Sequence, residues 1–240
     1  MAWPSRVKST VWVSARKTAQ DFPLTPHTWL PGAMPVIPMF PLGTVLLPAM
    51  PFALNVFEPR YLKMMGDLLE TETPEFGIVL IERGHEVGGG EKRLVTGTIA
   101  DISEIEAPEG HLVVTGHGTR RFDVIDWLDD DPYPRAEVEF RAEDDEPEGL
   151  SDRLDSLEIH VRDTLQRAHD YHLGVWPVDV PLSDDPVAKL WQLAGISPLS
   201  TLDHYTLLQS ADLEELFDHT MSLVDDAKAG FTPGGEPPTP

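Results

Sequence analysis

The sequence predicts an α+β fold, with a β-rich first part followed by a helical one, and three observations carry that expectation. From residue 35 to about residue 142 the apolar residues come in short runs or at a period of two, punctuated by proline and glycine. Beyond the acidic run Glu143 to Glu148 the apolar spacing changes to three and four, the period of a helix. An apolar fraction of 41% over 240 residues is enough for one large packed domain or two small ones.

The densest apolar stretch, Pro35 to Leu62, holds Pro38, Pro41, Pro48, Pro51 and Pro59 after its first residue. Proline fixes φ and removes a ladder donor, so short extended pieces are expected here: Val36–Ile37, Val45–Leu47 and Phe52–Phe57. Pro59 then suits the first position of an amphipathic helix ending near Glu70. Phe76 to Arg83 reads as a buried strand, and Gly84 to Arg93 as a mobile loop. Leu94 to Ile105, Leu112 to Thr115, Arg121 to Leu128 and Ala136 to Phe140 read as further strands. In the second part, Ser151 to about Tyr171 is expected as a long helix with Ser151 as N-cap, and three shorter helices follow at Pro186–Ala194, Ser200–Leu208 and Asp212 to about Ala227. The chain so divides into a flexible extension (1–33), a β domain (34–145), a helical subdomain (150–227) and a disordered tail (228–240).

Charge and composition exclude several functions. The 18 basic and 41 acidic residues give a net charge of −23, a field that repels phosphate backbones and anionic lipids, so neither nucleic acid nor a membrane is an expected partner. Residues 1–33 carry Arg6, Lys8, Arg16 and Lys17 against Asp21, net +3, which leaves −23 − 3 = −26 on residues 34–240. That first segment lacks the continuous apolar stretch of a signal peptide, and it reads as an extension or as an upstream start before Met34. No cysteine is present, so there is no disulfide, thiol nucleophile or thiolate metal site, and a reducing cytoplasm is the compatible location. No apolar run reaches the length of a membrane-spanning helix.

The order of motifs resembles a known family. Pro38-Met39-Phe40-Pro41-Leu42, Val45-Leu46-Leu47-Pro48 and Asn55-Val56-Phe57-Glu58-Pro59-Arg60-Tyr61 are similar to the N-terminal substrate-binding domain of Lon proteases. So are Gly77-Ile78, Val95-Thr96-Gly97-Thr98-Ile99-Ala100, Gly118-Thr119-Arg120-Arg121-Phe122 and Leu207-Leu208-Gln209-Ser210-Ala211-Asp212, so that the resemblance covers about residues 35–226. It implies a PUA-like pseudo-β-barrel followed by an α-helical bundle. No Gly-x-x-x-x-Gly-Lys-Ser/Thr phosphate loop occurs and a Ser/Lys protease domain has no room, so the chain looks like a stand-alone version of the binding domain.

The residues that could carry chemistry are few. No Gly-x-Ser-x-Gly elbow is present. His169 and His172 lie three apart on the long helix, but His160, nine residues before His169, falls on the opposite side at about 100° per residue, so no metal or other cofactor is expected. The acidic runs Asp129–Asp131 and Glu143–Glu146 lack the alternation of a calcium loop. What remains is a non-enzymatic module binding unfolded or extended polypeptide segments or a protein partner, in protein quality control. Phe57, Glu58, Arg60, Tyr61, Arg120 and Phe122 are its candidate contacts, with Phe40 beside them. Each also fits a structural role: helix capping for Glu58 and Arg60, an internal ion pair for Arg120 or Arg121, core packing for the aromatics. The alternative is a small-molecule hydrolase with a site between the β and helical halves, using Glu58 or the histidines; an RNA-binding role, suggested by fold analogy, is disfavoured by the charge.

Overall fold

The computed structural model describes residues 34–83, 92–142, 146–173 and 175–231. The N-terminal extension, the glycine-rich loop at 84–91, most of the linker acids and the tail beyond Phe231 lie outside the described residues. The first part comprises β1 (Val36–Leu42), β2 (Pro51–Val56), α1 (Pro59–Leu69), β3 (Glu75–Arg83), β4 (Lys92–Glu106), β5 (Leu112–Trp127) and β6 (Arg135–Phe140). The second comprises α2 (Leu150–Asp170), α3 (Pro186–Ile196), α4 (Thr201–Leu208) and α5 (Leu213–Gly230). The α+β expectation holds.

The strands run in the order β2-β5-β4-β3-β1-β6, and β6 also pairs with β5, which closes a five-stranded ring with β2 attached outside it. All neighbours are antiparallel except β1 and β3. Closure depends on β5. Its first half pairs with β2 through Leu112–His117 and its second half with β6 through Phe122–Trp127. Two strands were expected here and one of 16 residues is found, because Gly116 and Gly118 sit where the backbones of Asp101 and Leu47 pass too close for any side chain.

Two further expectations are corrected in the opening stretch. Pro38 and Pro41 lie within a single strand, β1. That strand pairs with β6 through Val36–Pro38 and with β3 through Met39–Leu42, so at neither proline is it paired on both sides. Val45–Leu47 forms no strand; it is a loop pinned to β4, with Thr98 Oγ1 donating to Leu46 O at 2.6 Å.

Period-two alternation divides the apolar residues between two cores. Ile37, Met39, Val79, Ile99, Phe122, Val124, Ala136 and Val138 fill the ring. Phe40, Leu42, Phe76, Ile78 and Leu80 turn the other way, into a larger core shared with α1 and the helices. Gly77 and Gly97 make room for the Phe122 ring, since a Cβ would stand 2.8 Å from its Cζ at Gly77 and 2.5 Å at Gly97.

The helical half begins one residue earlier than expected: Gly149, at φ 76°, is the N-cap of α2, and Ser151 lies in the first turn with its hydroxyl on Glu146. Asp185, Ser200 and Asp212 cap α3, α4 and α5 through side-chain oxygens. The start of the expected disordered tail is corrected. Residues Lys228 to Gly230 continue α5, because Lys228 reaches Asp163 of α2 at 2.8 Å and Phe231 is buried against Tyr171.

Arg121 joins the two halves. Its side chain leaves β5, lies 5.1 Å over the Trp191 ring of α3, and donates to Leu208 O at 3.2 Å and Ser210 O at 2.5 Å, at the end of α4. Gln192 of α3 is buried with it, donating to Ala49 O and accepting from Ser183 N. Arg121→Met should destabilise the protein by about 3 kcal/mol, since it strands Leu208 O and leaves Ser210 O only a 3.5 Å bond from Arg141 in place of a buried charged donor. The partly exposed Arg141, which donates to Gln209 O, should cost less than about 1 kcal/mol on the same change. Urea denaturation of the two variants checks this; equal losses would remove Arg121 from its role as the joint. Gly97→Ala should cost at least about 2 kcal/mol, since its Cβ would stand 2.4 Å from the backbone Ile78 O of β3 and 2.5 Å from Phe122, read in the same experiment.

Candidate functional site

Two neighbouring cavities share the loop Thr44–Leu46 as a common wall. One, about 350 Å³, runs alongside β2 and is lined by Phe40, Leu42, Val45, Leu54, Phe57 and Tyr61 among others. The second, about 600 Å³, lies between the β and helical halves, where Leu47 and Met50 face Trp176, Pro198, Leu199 and His204.

Local sequence explains why the first cavity stays open. β2 has a neighbour on one side only, and β1 ends at Leu42, so the chain bridges the gap with the irregular Gly43–Pro48 segment and the space beside β2 is left uncovered. Its floor is aromatic. Tyr61 stacks on Phe40 with centroids 4.1 Å apart, Phe40 leans on Phe76, and Phe76 meets Phe52 edge-on at 5.9 Å.

The structure brings some of the expected contacts together and separates others. Phe57 is 57% exposed at the end of β2 and lines the cavity with Glu58. Glu58 is the residue before α1 but makes no side-chain cap; it accepts from Arg60 Nε at 3.2 Å, and the Arg60 guanidinium lies 4.5 Å over the Tyr61 ring. Arg60 thus acts from behind the wall, and its Nη2 is buried without a hydrogen-bond partner among the described residues. Tyr61 is 2% exposed and forms cavity wall and core together.

Arg120 and Phe122 are elsewhere. Arg120 is tied to Glu75 at 3.1 Å with both side chains nearly buried, and lies over Phe140. Phe122 is 0% exposed inside the ring, so it offers no surface, because alternation along β5 turns it inward. Leu42, Val45 and Leu54 also line the cavity, and their place among the prolines of the apolar stretch is the signal for them; Trp176, Pro198 and His204 line the larger one, and their place depends on how the helices pack.

Two of the histidines on α2 are engaged by backbone carbonyls. His169 Nε2 hydrogen-bonds Trp176 O at 2.9 Å and so holds one wall of the larger cavity, while His160 Nδ1 bonds Ser156 O. No group of three His, Asp or Glu converges as a metal site among the described residues. Burial pushes the His204 imidazole below its usual range, against the opposing pull of the Ala194 backbone, Asp203 and the Ser200 and Ser197 backbone. Burial likewise lowers His117, with Asp101 opposing.

These shifts fix the sign of a pH effect. A histidine whose folded-state value is depressed binds fewer protons folded than unfolded, so stability is full above the unfolded value of about 6.5 and falls as pH drops below it. Urea denaturation at intervals between pH 7.5 and pH 5 should show this decline, and His117→Gln with His204→Gln should flatten it; an unchanged slope in the double variant would place the effect on other groups.

The family model of the ATP-dependent protease La (LON) substrate-binding domain matches residues 36–226. The chain is similar to a Lon N-terminal domain protein from Xanthomonas campestris at 27% identity and a TM-score of 0.57, covering 78% of this chain and 98% of that one. It also shares its fold with the N-terminal domain of Mycobacterium avium complex Lon protease, at 17% identity and a TM-score of 0.56, covering 81% of this chain and 98% of that one.

Proposed function

Because the chain belongs to the LON substrate-binding domain family, we propose that it is a non-enzymatic module that binds extended or unfolded polypeptide segments, acting in protein quality control in the cytoplasm. The observation that carries this reading is the open apolar cavity beside β2, with the exposed Phe57 at its mouth. An exposed aromatic next to an uncovered sheet edge favours a flexible apolar segment, which can bury side chains while its backbone stays hydrogen-bonded. The net charge of −23 argues against nucleic acid and anionic lipid as partners, and no helix of the described residues is long and apolar enough to cross a membrane.

Fluorescence anisotropy with a permanently unfolded model protein tests the reading. Phe57→Ala should weaken binding about tenfold, as expected for an aromatic anchor, while thermal stability stays within about 0.5 kcal/mol of the parent. If no polypeptide binds, and a small molecule instead stabilises the fold from the cavity between the halves, the proposal fails in favour of small-molecule chemistry.

A further inference from the structure

The backbone of β2 supports a specific mode of capture. Gly118 N donates to Met50 O at 2.8 Å, and the register continues as Pro51 opposite His117, Phe52 opposite Gly116 and so on to Val56 opposite Leu112. Hydrogen-bonded pairs alternate along an antiparallel ladder, so Phe52, Leu54 and Val56 exchange their bonds with β5. Pro51, Ala53 and Asn55 turn their backbone groups the other way. Proline at the first of these positions leaves no N–H to satisfy, as suits an edge strand. The N–H and C=O groups of Ala53 and Asn55 have no partner among the described residues, and both residues are at least partly exposed. The side chains of Phe52, Leu54 and Val56 face the core, and the cavity opens on that face.

Building on the polypeptide-binding reading, we infer that the ligand adds as a β-strand to the free edge of β2. Its backbone pairs with Ala53 and Asn55, and its alternate side chains drop into the cavity against Phe40, Leu42 and Val45. Two unsatisfied donor and acceptor sets at two-residue spacing are matched by an extended backbone and by nothing more compact. The occupant is apolar at alternate positions and cationic rather than acidic between them. The outer face of the sheet there carries exposed Glu104 and Glu106 in the rows of Ala53 and Asn55, opposite Thr115 and Val113 of β5, and Glu58 stands at the strand end. The overall charge of −23 acts in the same direction.

The test uses the full chain and a fluorescein-labelled peptide of alternating leucine and lysine, with N-methyl groups placed on either set of alternate amides. Methylation of the set that faces β2 should weaken binding at least tenfold, and methylation of the other set should leave it unchanged. In the protein, Asn55→Pro removes the outward N–H without touching the β5 ladder, so it should weaken binding at least tenfold with an unchanged melting temperature. Hydrogen exchange at Ala53 and Asn55 should slow when peptide is added, which keeps the proposal testable if that variant fails to fold. Peptide binding that is indifferent to both methylation registers would overturn strand addition and leave polypeptide binding standing. Absence of binding by this peptide and by unfolded protein alike would overturn both. A wild-type dimer in sedimentation that Asn55→Pro turns into a monomer would show the edge occupied by a second copy and overturn the inference.

Discussion

Strand β5 has to serve three partners, and the rest of the molecule is arranged by that constraint. It pairs with β4 over most of its length, with β2 at its start and with β6 at its end. A strand cannot have two neighbours on the same edge at one place, so β2 and β6 divide that edge between them, β2 as far as Gly118 and β6 from Phe122. The ring closes through β6 and leaves β2 outside it with one side unpaired. An open edge here is therefore a consequence of closing the barrel, and the apolar space beside it is what closure leaves behind.

The same strand fixes the helices. Residue parity along β5 sends Phe122 into the ring and Arg121 out of it, so the neighbour of a core aromatic becomes the anchor of the helical half. Burying a guanidinium is costly unless its donors are used, and Arg121 uses them on carbonyls at the end of α4 and on the face of Trp191. The carbonyl end of a helix suits a cation. Held in this way, α3 and α4 keep the Ile196–Leu199 turn opposite the loop before β2, which sets the width of the larger cavity.

How much of this was legible in the sequence follows from the range of the forces involved. The helices could be placed because their periods and caps are local: Asp185, Ser200 and Asp212 lie where their side chains can accept the orphan N–H groups. The continuity of β5 could not, since Gly116 and Gly118 read as a break until Asp101 and Leu47 are known to pass against them. Among the site residues, Phe57 and Glu58 follow from the chain running out of β2 into α1. Whether Arg120 was free depended on Glu75, 45 residues away, and whether Phe122 was exposed depended on ring closure. Pairings at such separations leave no mark on spacing.

An exposed edge with apolar flanks invites edge-to-edge association, so a chain that keeps one needs other means of staying apart from its copies. The charge supplies one: two molecules of net charge −23 repel as they approach, Glu58 stands at the end of the edge strand, and Glu104 and Glu106 lie two strands in on the same face of the sheet. Pro51 supplies another, cutting the usable edge to Ala53 and Asn55. Both devices discriminate. They act against a second copy of this acidic chain and much less against a short neutral or cationic segment, which brings no opposing field and needs only two residues of backbone to register. The features that keep the edge from pairing with itself are thus the same ones that leave it available to an extended segment of another chain.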